Sequence, residues 1–357
     1  MIINRYLMYE ISQPLLVVLG VLVVLFAGYG AAGFLSDAVN GLLPSGIMVQ
    51  LIGLKVLISL EVLIPISLYI SVVLALGRLH SESEILAMFA LRISPMRVMG
   101  AVVSLAVVLA LIVAALSLLI RPWAYQKSHE LSNQAAASFN FDNMQAGTFY
   151  ENSANNRVIF IGKRDGSKAP AEDVFVQLRL EGTIQTVHAR KAVQQKNTGS
   201  GSDLGIRLED AHIYQIAGMS AQDDRIIKAR AMILDLGSPD VDPPGYSSLA
   251  ASSTKLATSN SAADIAELQW RLSTPLSTLL LGMLGVPLSR ARPRQGKYAK
   301  MGTAILIYVG YYLLCTSARN WVKSGAVAAF PGIWWAPALL LLVLIFALFW
   351  PGRGFRR

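Results

Sequence analysis

The sequence predicts a membrane α-helical protein with six transmembrane helices, three before and three after an inserted all-β domain. Two observations predict this fold: six long uncharged apolar stretches, and about 150 polar residues between the third and the fourth. A bilayer core of about 30 Å needs about 20 apolar helical residues, and the second stretch reaches that length with its polar-flanked start included. The stretches are Ile11–Ser36, Val62–Gly77, Val98–Ile120, Leu272–Ser289, Met301–Ala318 and Ser324–Gly352.

These stretches divide the chain into three parts. We expect helices 1–3 in residues 1–121, the insert in residues 122–262 and helices 4–6 in residues 263–357. At 54% hydrophobic residues, the 357-residue chain is too apolar for a soluble globule. Its formal charge of +9 does not indicate a nucleic-acid partner, because the insert is nearly balanced and the excess of basic residues belongs to the membrane part.

The distribution of basic residues predicts the orientation of the chain, because cytoplasmic loops carry the Lys/Arg excess. With the N-terminus inside, the short outer loops hold only Arg319, Lys323 and Asp37. Both termini are therefore expected in the cytoplasm and the insert outside. A cleaved signal peptide is disfavoured, because the first stretch exceeds the apolar core of such peptides. The inner basic residues are Arg5, Arg78, Arg92, Arg97, Arg290, Arg292, Arg294, Lys297, Lys300, Arg353, Arg356 and Arg357.

Alternating apolar residues predict strands in the insert. Val174, Val176, Leu178 and Leu180 alternate with polar or aromatic neighbours, the period expected of a strand with one buried face. Short strands at regular spacing favour an antiparallel sandwich or open barrel. The segment Gly237–Ala262, rich in Ser, Ala, Pro and Gly, is predicted to be a linker. Further strands are expected at Arg157–Ile161, Thr183–Arg190, His212–Ile216 and Arg225–Leu236.

Motifs for catalysis and for metal or nucleotide cofactors are not found. The sequence has no G-x-x-x-x-G-K-[ST] phosphate-binding loop and no G-x-S-x-G motif of a hydrolase nucleophile. Its histidines show no metal-ligand spacing. The only cysteine, Cys315, falls within the fifth stretch, so the insert has no disulfide. A transport permease, receptor or scaffold is favoured over an enzyme, and any ATP hydrolysis is expected in another subunit.

The loop between the second and third stretches predicts a short cytoplasmic helix at about residues 81–92. Ser81, Glu82, Ser83 and Glu84 match a capping box, and Ser94-Pro95 would end the helix. The helix could bind a groove of a partner protein or lie on the lipid surface, and both readings stand. The face expected to meet a partner consists of Ile85, Met88, Phe89 and Arg92.

Charged residues at the outer membrane boundary form a second candidate site. Five cations at one depth could hold an anionic lipid headgroup, although long basic side chains also reach the interface without function. These cations are Lys55, Arg121, Arg271, Arg319 and Lys323. Glu61 lies inside the second span, directly before the uncharged stretch that begins at Val62, and a carboxylate at such a position is usually paired or faces a polar cavity. Pro65 follows one turn later, and the pair indicates either a gate hinge or a static kink.

Several short segments together resemble the LptF/LptG family of lipopolysaccharide export permeases. They run from the first residue to beyond residue 296, with three helices on each side of the insert as in the family. The segments are Met1-Ile2-Ile3, Arg5-Tyr6-Leu7, Leu63–Leu68, Gly77-Arg78-Leu79, Ser81–Glu84, Ala266–Arg271, Val286–Ser289 and Pro293–Gly296.

The resemblance implies a subunit of an ABC transporter in the bacterial inner membrane that extracts lipopolysaccharide and passes it to a periplasmic bridge. Its implied partners are an LptG-like permease subunit, an LptB-like ATPase dimer and an LptC-like bitopic protein. It also implies that the insert is a periplasmic β-jellyroll, that the loop helix is the coupling helix, and that Glu84 contacts the ATPase. Relatives carry basic residues near the outer end of the first span, where this chain has Tyr29, Gly30 and Gly33. This departure shifts the expected headgroup contacts to Lys55, Arg121, Arg271 and Arg319.

Two other functions remain open. A membrane-anchored scaffold or sensor would use the β-domain to bind a periplasmic protein without transport. A secondary transporter is disfavoured, because ion-coupled carriers need ionisable groups near the midplane of the membrane and this chain has few there. Co-purification with an ATPase and a related six-span partner separates the transport subunit from the scaffold.

Overall fold

The computed structural model describes residues 2–39, 45–137, 144, 146–152, 157–166, 169–180, 183–195, 205–217, 225–235, 247–289 and 300–349. The chain splits into two compact units. One unit comprises Met1–Gly30, Ile52–Ser128 and Tyr246–Arg357, and the other comprises Ala31–Leu51 and His129–Gly245. The basic residues expected at 290–297 and 353–357, and the predicted linker at 237–246, lie outside the described residues.

Helices make up most of the described chain. Helix α4 continues through a π-helical turn into α5 without interruption. The helices are α1 (Ile2–Val39), α2 (Ser45–Ser81), α3 (Glu84–Ala90), α4 (Pro95–Ala115), the π-turn (Leu116–Ile120), α5 (Arg121–Ala137), α6 (Ser253–Thr258), α7 (Ala262–Leu288), α8 (Met301–Lys323) and α9 (Trp335–Phe349).

Four helical stretches in the described ranges are long and apolar enough to cross a membrane: Ile2–Phe34, Gly46–Ser81, Pro95–Ser132 and Met301–Lys323. The other two expected spans correspond to α7 and α9. Helix α9 is strongly apolar but has 15 described residues. Helix α7 has 27 residues and carries Asp264, Glu267 and Arg271 in its first three turns. The predicted fold class, membrane helices with an inserted β-domain, is confirmed.

Helix α2 forms the centre of the helical unit. Its residues belong to three apolar clusters: Tyr69 packs with α7, α8 and α9, Leu68 packs with α1 and α4, and Ile64 packs with α4 and the π-turn. Helix α7 passes so close to α2 that two of its positions are glycines. A Cβ at Gly285 would lie 2.7 Å from Val72 Cγ1, and one at Gly282 would lie 3.0 Å from Leu68 Cδ2.

The six described strands form one antiparallel sheet in which each strand pairs with its neighbours in sequence. This connectivity is a meander, in place of the two Greek keys of a jelly roll. The predicted β-sheet of the insert is confirmed, but residues 122–262 also contain α5 as far as Ala137 and α6, and β1 was missed from the sequence. The strands are β1 (Phe149–Asn152), β2 (Arg157–Lys163), β3 (Ala171–Leu180), β4 (Thr183–Gln195), β5 (Gly205–Ala217) and β6 (Arg225–Asp235).

One row of residues interrupts the pairing on five strands, and we call it the crease row. The ladders on both sides keep the same register, yet the residues of this row are absent from them. Two of them, Asp173 and Asp210, have φ angles of 57° and 52°, in the left-handed region. The row consists of Gly162, Asp173, Arg190, Asp210 and Arg230.

The crease row changes which side chains face the sheet core. On β4, Val187 and Ala189 are buried before the row and Ala192 is buried after it. On β5, Leu208 and Ala211 are buried on either side of Asp210. Side chains of a regular strand alternate with a period of two, so both strands shift their buried series by one position at the row.

Helix α5 carries the chain beyond residue 121, where the sequence analysis ended the third span. Pro122 has no N–H, so the carbonyl of Leu118 four residues earlier lacks its helical donor. The π-turn lies at this point, and the Ser253 hydroxyl donates to the Leu118 carbonyl at 2.8 Å. A buried carbonyl needs such a donor. The proline is therefore tolerated inside a continuous helix because a side chain from another segment satisfies the free carbonyl.

Candidate functional site

Two polar sites stand out in the helical unit, and the first is the elbow, residues 78–97. Helix α2 ends at Ser81, Glu82 and Ser83 form a turn, and α3 follows. The predicted capping box is wrong. Ser81 Oγ donates to the Arg78 carbonyl at 2.8 Å, and the residue before α3 is Ser83, which has φ 63° and makes no side-chain cap hydrogen bond.

The face of α3 predicted to meet a partner is partly covered by the chain's own core, with Met88 and Phe89 half-buried. Ile85 is 1% exposed, and Met88 and Phe89 pack on the same apolar cluster of the chain's own core. Helix α3 presents Leu86, which is 69% exposed, to the surface, and the exposed Leu91 follows it. The predicted coupling residues Ser81, Glu82 and Arg92 are exposed as well.

Two polar contacts link the elbow to α1. The Tyr6 hydroxyl donates to Glu84 Oε2 at 2.8 Å. One turn further along α1, Glu10 accepts a hydrogen bond from Arg78. Leu7 and Ile11, the next residues along α1, belong to the apolar cluster that contains Ile85. The first turns of α1 are thereby joined to the elbow by apolar and polar contacts together.

The second site is a buried charge network built on Glu61 and Glu267. Glu61 on α2 is 1% exposed and accepts from Ser117 Oγ at 2.9 Å, Arg121 Nη1 at 2.6 Å and Trp270 Nε1 at 3.1 Å. The π-turn places Ser117 at its second position and Arg121 directly after it. Residues four apart share one helix face, so both donors reach the same carboxylate.

Glu267 on α7 binds three arginines. It accepts from Arg121 Nε at 2.8 Å, Arg271 Nε at 3.0 Å and Arg319 Nη2 at 2.5 Å. Arg121 therefore bridges the two carboxylates and joins α2 to α7. Arg319 adds α8 to the network, and its guanidinium also lies 5.0 Å from the ring centroid of Trp270. Four helical segments meet at two carboxylates.

Arg271 fixes the segment that leads back into the helical unit. Its guanidinium donates to the carbonyls of Ser248, Leu249 and Ala251 at 3.0–3.2 Å and to Ser253 Oγ at 3.1 Å. Residues 247–262 were expected to be linker, but they contain α6 and turns held by this arginine. The linker prediction was based on composition, which indicates only how much apolar surface a segment can bury. It could not include the hydrogen bonds that Arg271 donates to this segment from α7.

The five boundary cations separate into two groups. Arg121 and Arg271 are buried and paired with carboxylates, with Arg271 fully inaccessible. Arg319 is also paired but its side chain keeps 23% of its exposure. Lys55 and Lys323 are exposed. Lys55 Nζ lies 5.6 Å from the ring centroid of Tyr29, and its Cδ lies 3.4 Å from the position that a Cβ of Gly30 would take.

Sequence reasoning identified Glu61 and the three arginines but missed Ser117, Glu267 and Trp270 as their partners. Glu267 and Arg271 are four residues apart on α7, a spacing that predicts an ion pair on one helix face. That signal was available. The contacts of Glu61 join residues 56, 60 and 209 positions apart, so they depend on how the helices pack.

Pro65 lies in the middle of α2, one turn beyond Glu61, and α2 remains a continuous helix through it. A pocket opens beside Pro65, between α2, α7 and α8. Among its lining residues are Val62, Ser277, Tyr308, Tyr311 and Cys315. In the part of the chain that the structure describes, no group of three His, Cys, Asp or Glu residues could hold a metal ion.

Comparisons with known proteins agree with this architecture. The family model for the lipopolysaccharide export system permease LptF/LptG matches residues 5–351. The chain is 29% identical over 363 aligned positions to the lipopolysaccharide export system permease protein LptF of Escherichia coli strain K12. This alignment covers 98% of this chain and 94% of that protein. The LptF protein of Shigella flexneri gives the same identity and coverage. The chain belongs to the LptF/LptG family of lipopolysaccharide export system permeases.

Proposed function

We propose that this chain is the LptF-type transmembrane subunit of an ABC transporter that extracts lipopolysaccharide from the inner membrane and passes it to a periplasmic bridge for outer-membrane assembly. The match of the permease family to residues 5–351 carries this proposal. As a family member the chain is a lipopolysaccharide export permease of the inner membrane, a transport subunit and not an enzyme. The orientation proposed here puts both termini in the cytoplasm and the sheet in the periplasm.

The proposal requires an energy source outside the chain. Each buried CH₂ group of an acyl chain contributes about 0.8 kcal/mol to membrane binding, so a lipid with several acyl chains does not leave the bilayer by thermal energy. The sequence has no phosphate-binding loop. ATP hydrolysis is therefore assigned to an LptB-like ATPase dimer. An LptG-like second permease subunit completes the membrane part, and an LptC-like bitopic protein receives the lipid.

The elbow is the proposed contact for the ATPase. Its exposed side offers apolar Leu86 and Leu91 together with charged Glu82 and Arg92. Ile85, Met88 and Phe89 pack inward, so they transmit force from the contact to the core of the helical unit. Glu84 lies at the first turn of α3, where its charge favours the helix N-terminus.

The headgroup contact is assigned to the exposed members of the boundary cations. Lys55, Lys323 and the accessible side of Arg319 are the groups that can approach a phosphate. Arg121 and Arg271 are assigned to the buried network, where they hold Glu267 and thereby orient Arg319. Moving Arg121 to a phosphate would leave the buried Glu61 carboxylate without its arginine, which is strongly unfavourable. Moving Arg271 would take one arginine from Glu267 and leave the carbonyls of Ser248, Leu249 and Ala251 without their donor.

Glu61 and Pro65 are proposed as the fixed and the flexible part of one hinge in α2. Glu61 is anchored by hydrogen bonds from three side chains. Pro65 leaves the carbonyl of Glu61 without its helical N–H donor. A bend at this point would move the elbow half of α2 while the network keeps the other half in place.

Reconstitution tests the transport function. Purified chain, second permease subunit and ATPase in proteoliposomes should release lipopolysaccharide to an acceptor only when ATP is hydrolysed. Release without an ATPase, or failure of an ATPase and a related permease to co-purify with the chain, contradicts the proposal. The second result would favour a membrane-anchored scaffold.

Photo-crosslinking to lipopolysaccharide tests the headgroup assignment. Lys55→Glu and Lys323→Glu should each lower the crosslinking yield several-fold, because a like charge then faces the phosphate. Arg5→Glu is the matched control, since Arg5 is an exposed cation at the opposite end of the helical unit. Unchanged yields in both lysine variants would assign these residues to the interface without a role in binding.

A further inference from the structure

Helix α3 cannot set its own orientation. It has seven residues, about two turns, and isolated helices of this length are marginal in water. Its N-cap residue Ser83 makes no side-chain hydrogen bond to the first turn. The direction in which α3 points must therefore be set by contacts with other elements.

Apolar contacts hold one face of α3 in place. Ile85 is buried in the cluster that contains Leu7 and Ile11 of α1, and Met88 and Phe89 pack against the same cluster. Burial of apolar surface is not directional, so these contacts do not by themselves fix the position of the charged first turn of α3. A hydrogen bond has a preferred angle as well as a distance, and one to a carboxylate is stronger than a neutral one.

One such hydrogen bond reaches α3 from α1. The Tyr6 hydroxyl donates to Glu84 Oε2 at 2.8 Å, over a separation of 78 residues. Glu84 is the first residue of α3, so a bond to its carboxylate fixes the end of the helix that Ser83 leaves uncapped. The neighbouring pair of Glu10 and Arg78 joins α1 to α2 and does not include α3.

We propose that Tyr6 is a positioning residue of the elbow: its hydroxyl holds Glu84 and sets the orientation in which α3 meets the ATPase. The second half of this inference rests on the proposed function, and the first half does not. In the wild-type chain the hydrogen bond from Tyr6 keeps the Glu84 carboxylate directed toward α1. Loss of the hydroxyl removes the polar contact that fixes the first turn of α3 and leaves the apolar contacts of Ile85, Met88 and Phe89 to hold the helix.

Hydrogen exchange of the α3 backbone amides tests the first half. In the full complex, Tyr6→Phe should raise the exchange rate of residues 84–90 about tenfold, the size expected for loss of one charge-assisted hydrogen bond. Tyr9→Phe is the matched control. Tyr9 is exposed on the same helix and its hydroxyl accepts from Gln13 of α1 itself. Equal exchange in wild type and Tyr6→Phe overturns the proposal, whatever the activity of the complex.

Transport coupling tests the second half. Tyr6→Phe should retain the bound ATPase and the unfolding temperature of the wild type, while the lipid released per ATP hydrolysed falls about fivefold. A general loss of structure would lower binding, stability and release together. Unchanged release per ATP would overturn the coupling role. Failure of the wild-type complex to release lipid would instead contradict the proposed function.

A double-mutant cycle shows whether Tyr6 acts through Glu84. In the Glu84→Ala background the added Tyr6→Phe change should have no further effect on exchange or on release, because its acceptor is already absent. If the two losses multiply, Tyr6 acts on another group and the proposal is wrong.

Discussion

Glu267 is the residue on which the buried network depends. It is 1% exposed and its two oxygens accept hydrogen bonds from three arginines. Bringing charges out of water is unfavourable, so a buried network is stable only while each group keeps its partners. Glu61 alone can satisfy Arg121, but Arg271 and Arg319 have no contact with it among the hydrogen bonds of the described residues.

Glu267→Ala should therefore lower the free energy of unfolding by about 3–5 kcal/mol, the cost of leaving buried charges without a partner. Glu267→Gln should lie between this variant and the wild type, because it keeps the shape and one acceptor. Unfolding of the detergent-solubilised chain, followed by tryptophan fluorescence, measures both.

The control for this prediction is Glu209→Ala. Glu209 pairs with Arg207 at 3.5 Å, and both side chains are nearly half exposed. Surface pairs of this kind contribute between 0 and about 1 kcal/mol. Equal destabilisation by the two alanine variants would mean that the Glu267 network adds no stability beyond that of a surface pair.

At the scale of single residues, the sequence predicted where the boundary arginines lie better than it predicted what they do. It placed Arg121, Arg271 and Arg319 at one depth, and the structure brings them to one carboxylate. It assigned them to a lipid headgroup because their acidic partner was not recognised. The partners of Glu61 come from other helices, and one sequence contains no signal for that packing.

At the scale of elements, the crease row explains why the predictions for β4 and β5 were shorter than the observed strands, whereas the prediction for β6, Arg225–Leu236, extends across the row. The alternation that predicted Thr183–Arg190 ends at the row, and β4 continues to Gln195. The alternation that predicted His212–Ile216 begins just after the row, and β5 begins at Gly205. Both strands cross the row, but their buried series shift by one position there, so a period-of-two pattern recognises only one side of each.

Gly162 is a position of the crease row where an added side chain would not fit. A Cβ there would lie 2.9 Å from Asp173 Cβ and 3.1 Å from the Asp173 carbonyl oxygen. The backbone of β3 cannot move away without breaking its ladder with β4. Gly162→Ala should therefore destabilise the sheet by about 1–3 kcal/mol, the usual cost of overpacking.

Faster hydrogen exchange in β2 and β3 measures this effect, with the helical unit as internal reference. Gly20→Ala in α1 serves as the matched control, because nothing lies within 4 Å of its Cβ position. If the sheet of Gly162→Ala exchanges at the same rate as the sheet of the wild type, β3 adapts to the added methyl group and the row does not require a glycine.

The packing of α2 against α7 gives a second prediction for elements. A Cβ at Gly285 would meet Val72 at 2.7 Å, so Gly285→Ala should lower the unfolding temperature. Val72→Ala in the same chain should restore part of the loss by removing the contacting methyl groups. Gly310→Ala in α8, where nothing lies within 4 Å, should be neutral or slightly stabilising. Failure of Val72→Ala to rescue would place the strain elsewhere.

At the scale of the whole molecule, charge and hydropathy determined most of the fold class. Runs of apolar residues gave the helices, and the switch to a period of two gave the sheet. The extent of the helices was less accessible, since α5 continues to Ala137 in polar sequence. That continuation depends on the π-turn and on Ser253, which supplies the donor that Pro122 lacks. Neither is visible as a local pattern.

The orientation of the chain is the property on which the proposed mechanism depends most, and a cysteine experiment decides it. Cys315 is the only cysteine of the sequence and is buried, so Cys315→Ser gives a cysteine-free chain by one change. Lys228→Cys in β6 and Arg97→Cys in the elbow then introduce a thiol at exposed positions. The excess of basic residues near the elbow predicts that it is cytoplasmic.

In intact spheroplasts a membrane-impermeant maleimide should label Lys228→Cys and leave Arg97→Cys unlabelled, and permeabilisation should expose Arg97→Cys. The reason is physical: translocating the basic residues of short loops is disfavoured, whereas the insert between α5 and α6 carries nearly balanced charge. The cysteine-free chain reports background labelling. Labelling of Arg97→Cys in intact spheroplasts would place the elbow outside, where no ATP-hydrolysing partner could reach it, and the coupling proposed for α3 would then be impossible.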